Sequence, residues 1–115
     1  MQLREIIDLV ECDILCGEMH LEQKFDYAFG SDLMSDVLAY VEDETILLTG
    51  LTNAQVIRTA EMLDLRTIVF VRGKNPAEDV IELARENDIV LLTTKHTMYN
   101  VAGVLYANGL KGLEV

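Results

Sequence analysis

The 115 residues, half of them apolar, suffice for one hydrophobic core, and a single domain over 1–115 is expected. Twenty acidic side chains against nine Lys and Arg give a net charge of −11, a field that repels nucleic acid and acidic membrane surfaces, and no basic stripe offsets it. No apolar run approaches the ~20 residues of a membrane-spanning helix, and MQLREIIDLVE at the N-terminus is amphipathic where a signal peptide would be continuously apolar, so a cytoplasmic protein is expected.

Leu3, Ile6, Ile7 and Val10 form a helical stripe. Cys12 to Cys16 then reads as a short strand ended by Gly17. On an extended segment the two cysteines share a face with Cα atoms about 13 Å apart, too far for a mutual disulfide. They read as small hydrophobes, and two thiols fall short of the four ligands of a structural metal site; no metal and no cofactor is expected. Lys24 to Phe29 reads as a second strand, with aromatics at Phe25, Tyr27 and Phe29.

Gly30-Ser31-Asp32 opens a helix, with Ser31 as N-cap and Leu33, Met34, Val37, Leu38 and Val41 as its buried face. Thr45 to Thr49 has the length and apolarity of a strand covered on both sides. Gly50-Leu51 turns the chain and Thr52 caps a helix burying Val56, Ile57, Ala60 and Leu63. Thr67 to Val71 is a β-branched strand, and Asn75-Pro76 predicts the next helix start, with Asn as cap and Pro in the first turn. Ile89 to Leu92 is the last predicted strand; Thr97 caps a helix from Met98 to Asn108, and Gly109 ends it. Strands alternating with helices in this way specify a three-layer α/β/α domain with a mostly parallel sheet of about five strands.

In such a sheet, ligands bind beyond the carboxyl ends of the strands, where loops lead into helix N-termini. The candidate ligand-binding residues are therefore Ser31 and Asp32, then Gly50, Thr52 and Asn53, then Arg72, Gly73 and Lys74, then Lys95, His96 and Thr97. Three of the nine Lys and Arg fall on these loops, which suits an anion. Each residue also has a structural reading: Thr52, Asn75 and Thr97 as caps, Gly50 and Gly73 as turn formers, and Arg72, Lys74 and His96 as solvated loop residues. Neither G-x-x-x-x-G-K-[ST] nor G-x-G-x-x-G is present, and no G-x-S-x-G or H-E-x-x-H signature supports catalysis. Ser31/Ser35 and Asp32/Asp36, spaced to share a helix face, are the one arrangement that could serve a metal-dependent reaction on a phosphate ester. On the last helix, Tyr99, Gly103, Tyr106 and Ala107 lie along one side, where small residues and tyrosines suit a homodimer interface, with Val101, Leu105 and Ala102 towards the core.

The segments IIDLVECDILCGE (6–18), AFGSDLMSDVLAYV (28–41), ILLTGLTNAQVIRTAEM (46–62) and IVFVRGKNPAEDVIELARENDIVLLTTKHTMYNVAGVL (68–105) resemble the DRTGG domain, over nearly the whole chain. That module resembles the N-terminal domain of HPr kinase/phosphorylase and occurs in some phosphotransacetylases and in CBS-containing pyrophosphatases; the chain is most similar to stand-alone members. The name-giving motif is altered: Thr52-Asn53 stands where the family often has Asp-Arg, and Arg72-Gly73-Lys74 where it has Thr-Gly-Gly. The resemblance implies a regulatory or assembly domain, often dimeric, without catalytic residues. The expected function is a non-enzymatic, homodimeric regulatory domain binding a small anionic metabolite or nucleotide. The alternatives are an adaptor for a larger partner enzyme and, more remotely, the metal-dependent phosphate-ester enzyme.

Overall fold

The computed structural model describes residues 1–114. In chain order they form α1 (Leu3–Val10), β1 (Asp13–Cys16), a 3-10 turn (Glu18–His20), β2 (Tyr27–Gly30), α2 (Met34–Tyr40) and β3 (Thr45–Thr49). There follow α3 (Ala54–Leu63), β4 (Thr67–Phe70), α4 (Glu78–Glu86), β5 (Val90–Thr93), α5 (Met98–Ala107) and β6 (Lys111–Gly112). The six strands make one sheet in the order β1-β5-β4-β3-β2-β6, parallel except for β1, which runs antiparallel to β5. The three-layer α/β/α expectation holds, with six strands where about five were expected. The sixth, β6, has two exposed residues and no strand pattern of its own. Tertiary context places it: Gly109 turns the chain at φ 101°, Leu110 is buried, and the Lys111 N–H donates to the Asp26 carbonyl.

The direction of chain travel sets the layering. From β2 to β5 each parallel strand is added on the same side of the last, and right-handed crossovers put α2, α3 and α4 on one face. The chain then returns across the whole sheet from β5 to β6, so the same handedness puts α5 on the opposite face, beside α1. Leu47, Ile68, Phe70 and Leu91 point to the first face, and Ile46, Leu48, Val69, Val90 and Leu92 to the second. Every residue of β3, β4 and β5 is consequently buried, which is why these strands read as continuous apolar runs.

Several local expectations are corrected. Leu15 lies in a β-bulge where the β1–β5 register shifts between Ile14 and Cys16. An inserted residue inverts the facing of every later residue in its strand, so Cys12 packs with α1 and α5 while Cys16 is buried under α2 to α4, on opposite faces of the sheet. The second strand begins at Tyr27, because Lys24 instead makes an isolated antiparallel bridge to Gln2. The α2 helix starts at Met34 with Leu33 as its cap, so Leu33 and Leu38 are exposed, while Met34 and Val37 are buried and Val41 packs partly buried against the core. Asn53, in place of Thr52, caps α3 by accepting from the Gln55 N–H at 3.1 Å. The α4 helix starts after Ala77, because the Asn75-Pro76 stretch is held along β5: Thr93 Oγ1 donates to the Lys74 carbonyl at 2.8 Å, and the Gly73 N–H donates to the Thr94 carbonyl. Thr97 caps α5 as expected, and Ala102 is exposed.

Candidate functional site

Since β2 to β5 are parallel, the four predicted loops emerge at one edge of the sheet. The structure joins them in two groups. In the first, the Asp32 carboxylate reaches across from the β2–α2 loop and accepts from Thr49 Oγ1 at 2.9 Å and from the Gly50 N–H at 2.7 Å. Asp32 therefore clamps two loops together. It also precedes α2, so Asp32 and Asp36 do not share a helix face as their spacing suggested, and the metal-dependent arrangement loses its geometry. Ser31 is no helix cap either: its Oγ accepts from the Leu33 N–H at 3.1 Å in a turn ahead of the helix. Among the described residues no cluster of His, Cys, Asp and Glu could hold a metal ion.

Arg72 lies against this first group. Its guanidinium rests on Gly50, so close that a Cβ there would meet Nη2 at 2.5 Å. Gly50 leaves room for that approach; of the two glycines expected as turn formers, Gly73 takes a positive φ, 67°, with open space around it. Arg72 itself holds φ 61°, a left-handed conformation that costs a side-chain-bearing residue about 1–2 kcal/mol. Its N–H is tied to the His96 carbonyl at 2.8 Å, which holds it there. Among the described residues neither the Arg72 guanidinium nor the Lys74 ammonium has an ion-pair partner. Thr52 and Asn53 sit beside this group at the start of α3, Thr52 half-buried and Asn53 occupied as the cap.

The second group lines a cleft of about 460 Å³ formed by Glu11, Asp13, Gly73, Asn75, Thr93, Thr94, Lys95 and His96. It opens where the β4 loop leads to a helix on one face and the β5 loop to a helix on the other, the topological switch point at which open α/β sheets take ligands. Thr94 Oγ1 donates to the Val10 carbonyl at 2.7 Å, fixing the end of α1 to the loop. His96 Nε2 pairs with Glu11 Oε1 at 2.8 Å, so His96 is a structural partner of a residue 85 positions away. Thr97 is spent on the α5 N-terminus, accepting from the Asn100 N–H.

Five lining residues fall outside the predicted set: Asn75, Thr93 and Thr94 adjoin predicted residues on the same loops, whereas Glu11 and Asp13 lie on no predicted loop. The strand-end rule names residues after each strand, but β1 is antiparallel, so its beginning lies at the ligand edge. No local signal marks β1 as antiparallel. The cysteines add no reactive group: burial, then the neighbouring Asp13 carboxylate, pushes the Cys12 thiol up to about 12, and burial also raises that of Cys16, whose Sγ donates to the Ile89 carbonyl at 3.3 Å.

The predicted interface residues share one exposed side of α5. Tyr99 and Tyr106 are 86 % and 74 % exposed, Gly103 and Ala107 lie exposed beside them, and a Cβ at Gly103 would meet nothing within 4 Å. No Asp, Glu, Lys or Arg occurs from Met98 to Asn108.

A mostly parallel sheet covered on both faces, with a polar cleft at its switch point, defines an open α/β domain, a fold whose ligands, where it has them, sit at that edge. The particular family is given by the sequence: residues 5–107 match the DRTGG domain, and the chain belongs to that family. A crystal structure of the CBS and DRTGG domains of the regulatory region of Clostridium perfringens pyrophosphatase, complexed with its activator diadenosine tetraphosphate, is similar, with a TM-score of 0.68 at 17 % identity. The similarity covers 90 % of this chain and 45 % of that one, so this chain spans under half of the pyrophosphatase region. No curated protein matches the chain in sequence. No helix among the described residues is long and apolar enough to cross a membrane.

Proposed function

We propose that this chain is a non-enzymatic regulatory domain, homodimeric through α5, that binds a small anionic metabolite or nucleotide at the strand-end edge. The observation that carries the reading is the open cleft at the switch point, together with three cations, Arg72, Lys74 and Lys95, that have no carboxylate partner among the described residues of so acidic a chain. A strained Arg72 held against Gly50 supports it, since backbone strain gathers where function requires a fixed side chain. The similar pyrophosphatase region was crystallised with a nucleotide activator, which is consistent with a regulatory role here. Regulation would act by population shift: a ligand favouring one arrangement of loops or dimer changes what a partner meets.

A thermal-shift screen of nucleotides and phosphorylated metabolites tests the ligand. At least one anion is expected to raise Tm, and Arg72→Ala/Lys74→Ala to abolish the rise. No response to any anion, or a response unchanged in the double variant, counts against the reading. The exposed uncharged face of α5 favours one second reading, an adaptor that docks a larger enzyme and has no small ligand. That version predicts co-purification with the enzyme, lost on Tyr106→Glu, and an unresponsive Tm.

A further inference from the structure

The charge balance of the switch-point cleft narrows the ligand beyond "anionic". Of its two carboxylates, Glu11 is already paired with His96 at 2.8 Å. The Thr93 and Thr94 hydroxyls are committed as donors to the Lys74 and Val10 carbonyls. What remains uncommitted among the described lining residues is one carboxylate, Asp13, one amide, Asn75, and one ammonium, Lys95. Asp13 is placed firmly, because it stands opposite Thr93 in the β1–β5 register. A bare phosphate drawn to Lys95 would meet the Asp13 carboxylate as a like charge in the same cleft, so an exclusively anionic ligand fits poorly. A ligand with an anionic group at one end and a pair of hydroxyl donors at the other satisfies both.

We infer that the cleft takes a ribonucleotide, with its ribose diol donating to Asp13 and its phosphate at Lys95. An acidic side chain at a strand end holding ribose hydroxyls is chemistry that open α/β sheets support, and about 460 Å³ lies within the range of small-molecule sites, roughly 300–1,000 Å³. Asp13 is then the residue that sets specificity for ribose. The inference rests on the reading that the strand-end edge binds a ligand.

Calorimetric titration of the wild-type chain with the four ribonucleoside 5′-monophosphates, their 2′-deoxy counterparts and inorganic phosphate tests it. One ribonucleotide or more is expected to bind, with its 2′-deoxy counterpart about tenfold weaker, the worth of one hydrogen bond to a charged group, and inorganic phosphate without measurable binding. Asp13→Ala, at an exposed position, is expected to weaken both forms, the ribonucleotide more, and to erase the difference between ribo and deoxy affinities. Equal affinity for ribo and deoxy forms, or phosphate binding as tightly as the nucleotide, overturns the assignment while leaving the anion reading intact. Binding of neither class to folded protein overturns the assignment, and the anion reading falls with it only if the thermal-shift screen is also silent.

Discussion

At the scale of single residues, the interior carries two hydroxyls that do nothing for stability. Thr45 and Thr67 are buried at the amino ends of β3 and β4 with Oγ1 atoms that find no partner. A buried unsatisfied polar group costs on the order of 1–3 kcal/mol. Thr67→Val, which keeps the shape and removes the hydroxyl, is therefore expected to raise unfolding free energy by about 1 kcal/mol, read as a higher urea midpoint at unchanged m-value. Arg72 carries a different cost. Relieving its left-handed conformation with Arg72→Gly is expected to leave stability unchanged or raise it by up to about 1 kcal/mol, while any anion-dependent rise in Tm disappears. Loss of that rise together with stability would assign Arg72 to the fold alone. The Cys12 thiol gives a pH prediction. Its folded value of about 12 lies above the ordinary 9.0, so its protonated form contributes stability fully below pH 9 that is lost as pH rises towards 12. Alkaline unfolding should accordingly move to higher pH in Cys12→Ala once its stability at pH 7 is matched.

At the scale of elements, three glycines separate conformational from steric demand. Gly109 ends α5 at φ 101° with nothing near an added Cβ, so Gly109→Ala carries the left-handed cost alone, about 1–2 kcal/mol. Gly17 comes directly after β1 at φ 92°, and a Cβ there would meet the Val90 Cα at 2.9 Å, a contact with β5 backbone that cannot yield cheaply. Gly17→Ala is expected to be the more destabilising, with a lower Tm than Gly109→Ala, and the reverse order would mean that β1 is loosely attached. Gly103 lies inside α5 with ordinary helical freedom and open space. Glycine in a helix interior costs about 1 kcal/mol relative to alanine, and nothing within the chain requires it. This is what makes a close partner on that face worth testing.

At the scale of the molecule, a net charge of −11 opposes the meeting of two copies except where the surface is uncharged. The α5 face is such a place. A dimer through it should tighten with added salt, because screening weakens the repulsion between the two acidic bodies. Sedimentation at low and high salt checks this; Tyr106→Glu should give monomers at both, with an unchanged circular-dichroism spectrum. A monomeric wild type at all salt concentrations would remove the homodimer.

The sequence by itself determined the layers. Runs such as Ile46 to Leu48 are continuously apolar because they are buried on both faces, and that pattern is local information. The strand-end loops were legible for the same reason, as were the Thr97 cap and the Gly109 stop. Helix starts were less so: Ser31 closes a local turn ahead of α2, the cap expected of Thr52 moves one residue to Asn53, and the Asn75-Pro76 stretch is held along β5 through the Lys74 carbonyl. Only the tertiary structure decided that β1 is antiparallel and bulged, which splits the cysteines between two faces and brings Glu11 and Asp13 to the cleft. It also turned His96 towards Glu11 and Asp32 towards Gly50. Strand direction and partners 85 residues apart arise from pairing across the sheet, and no local pattern of side chains encodes them.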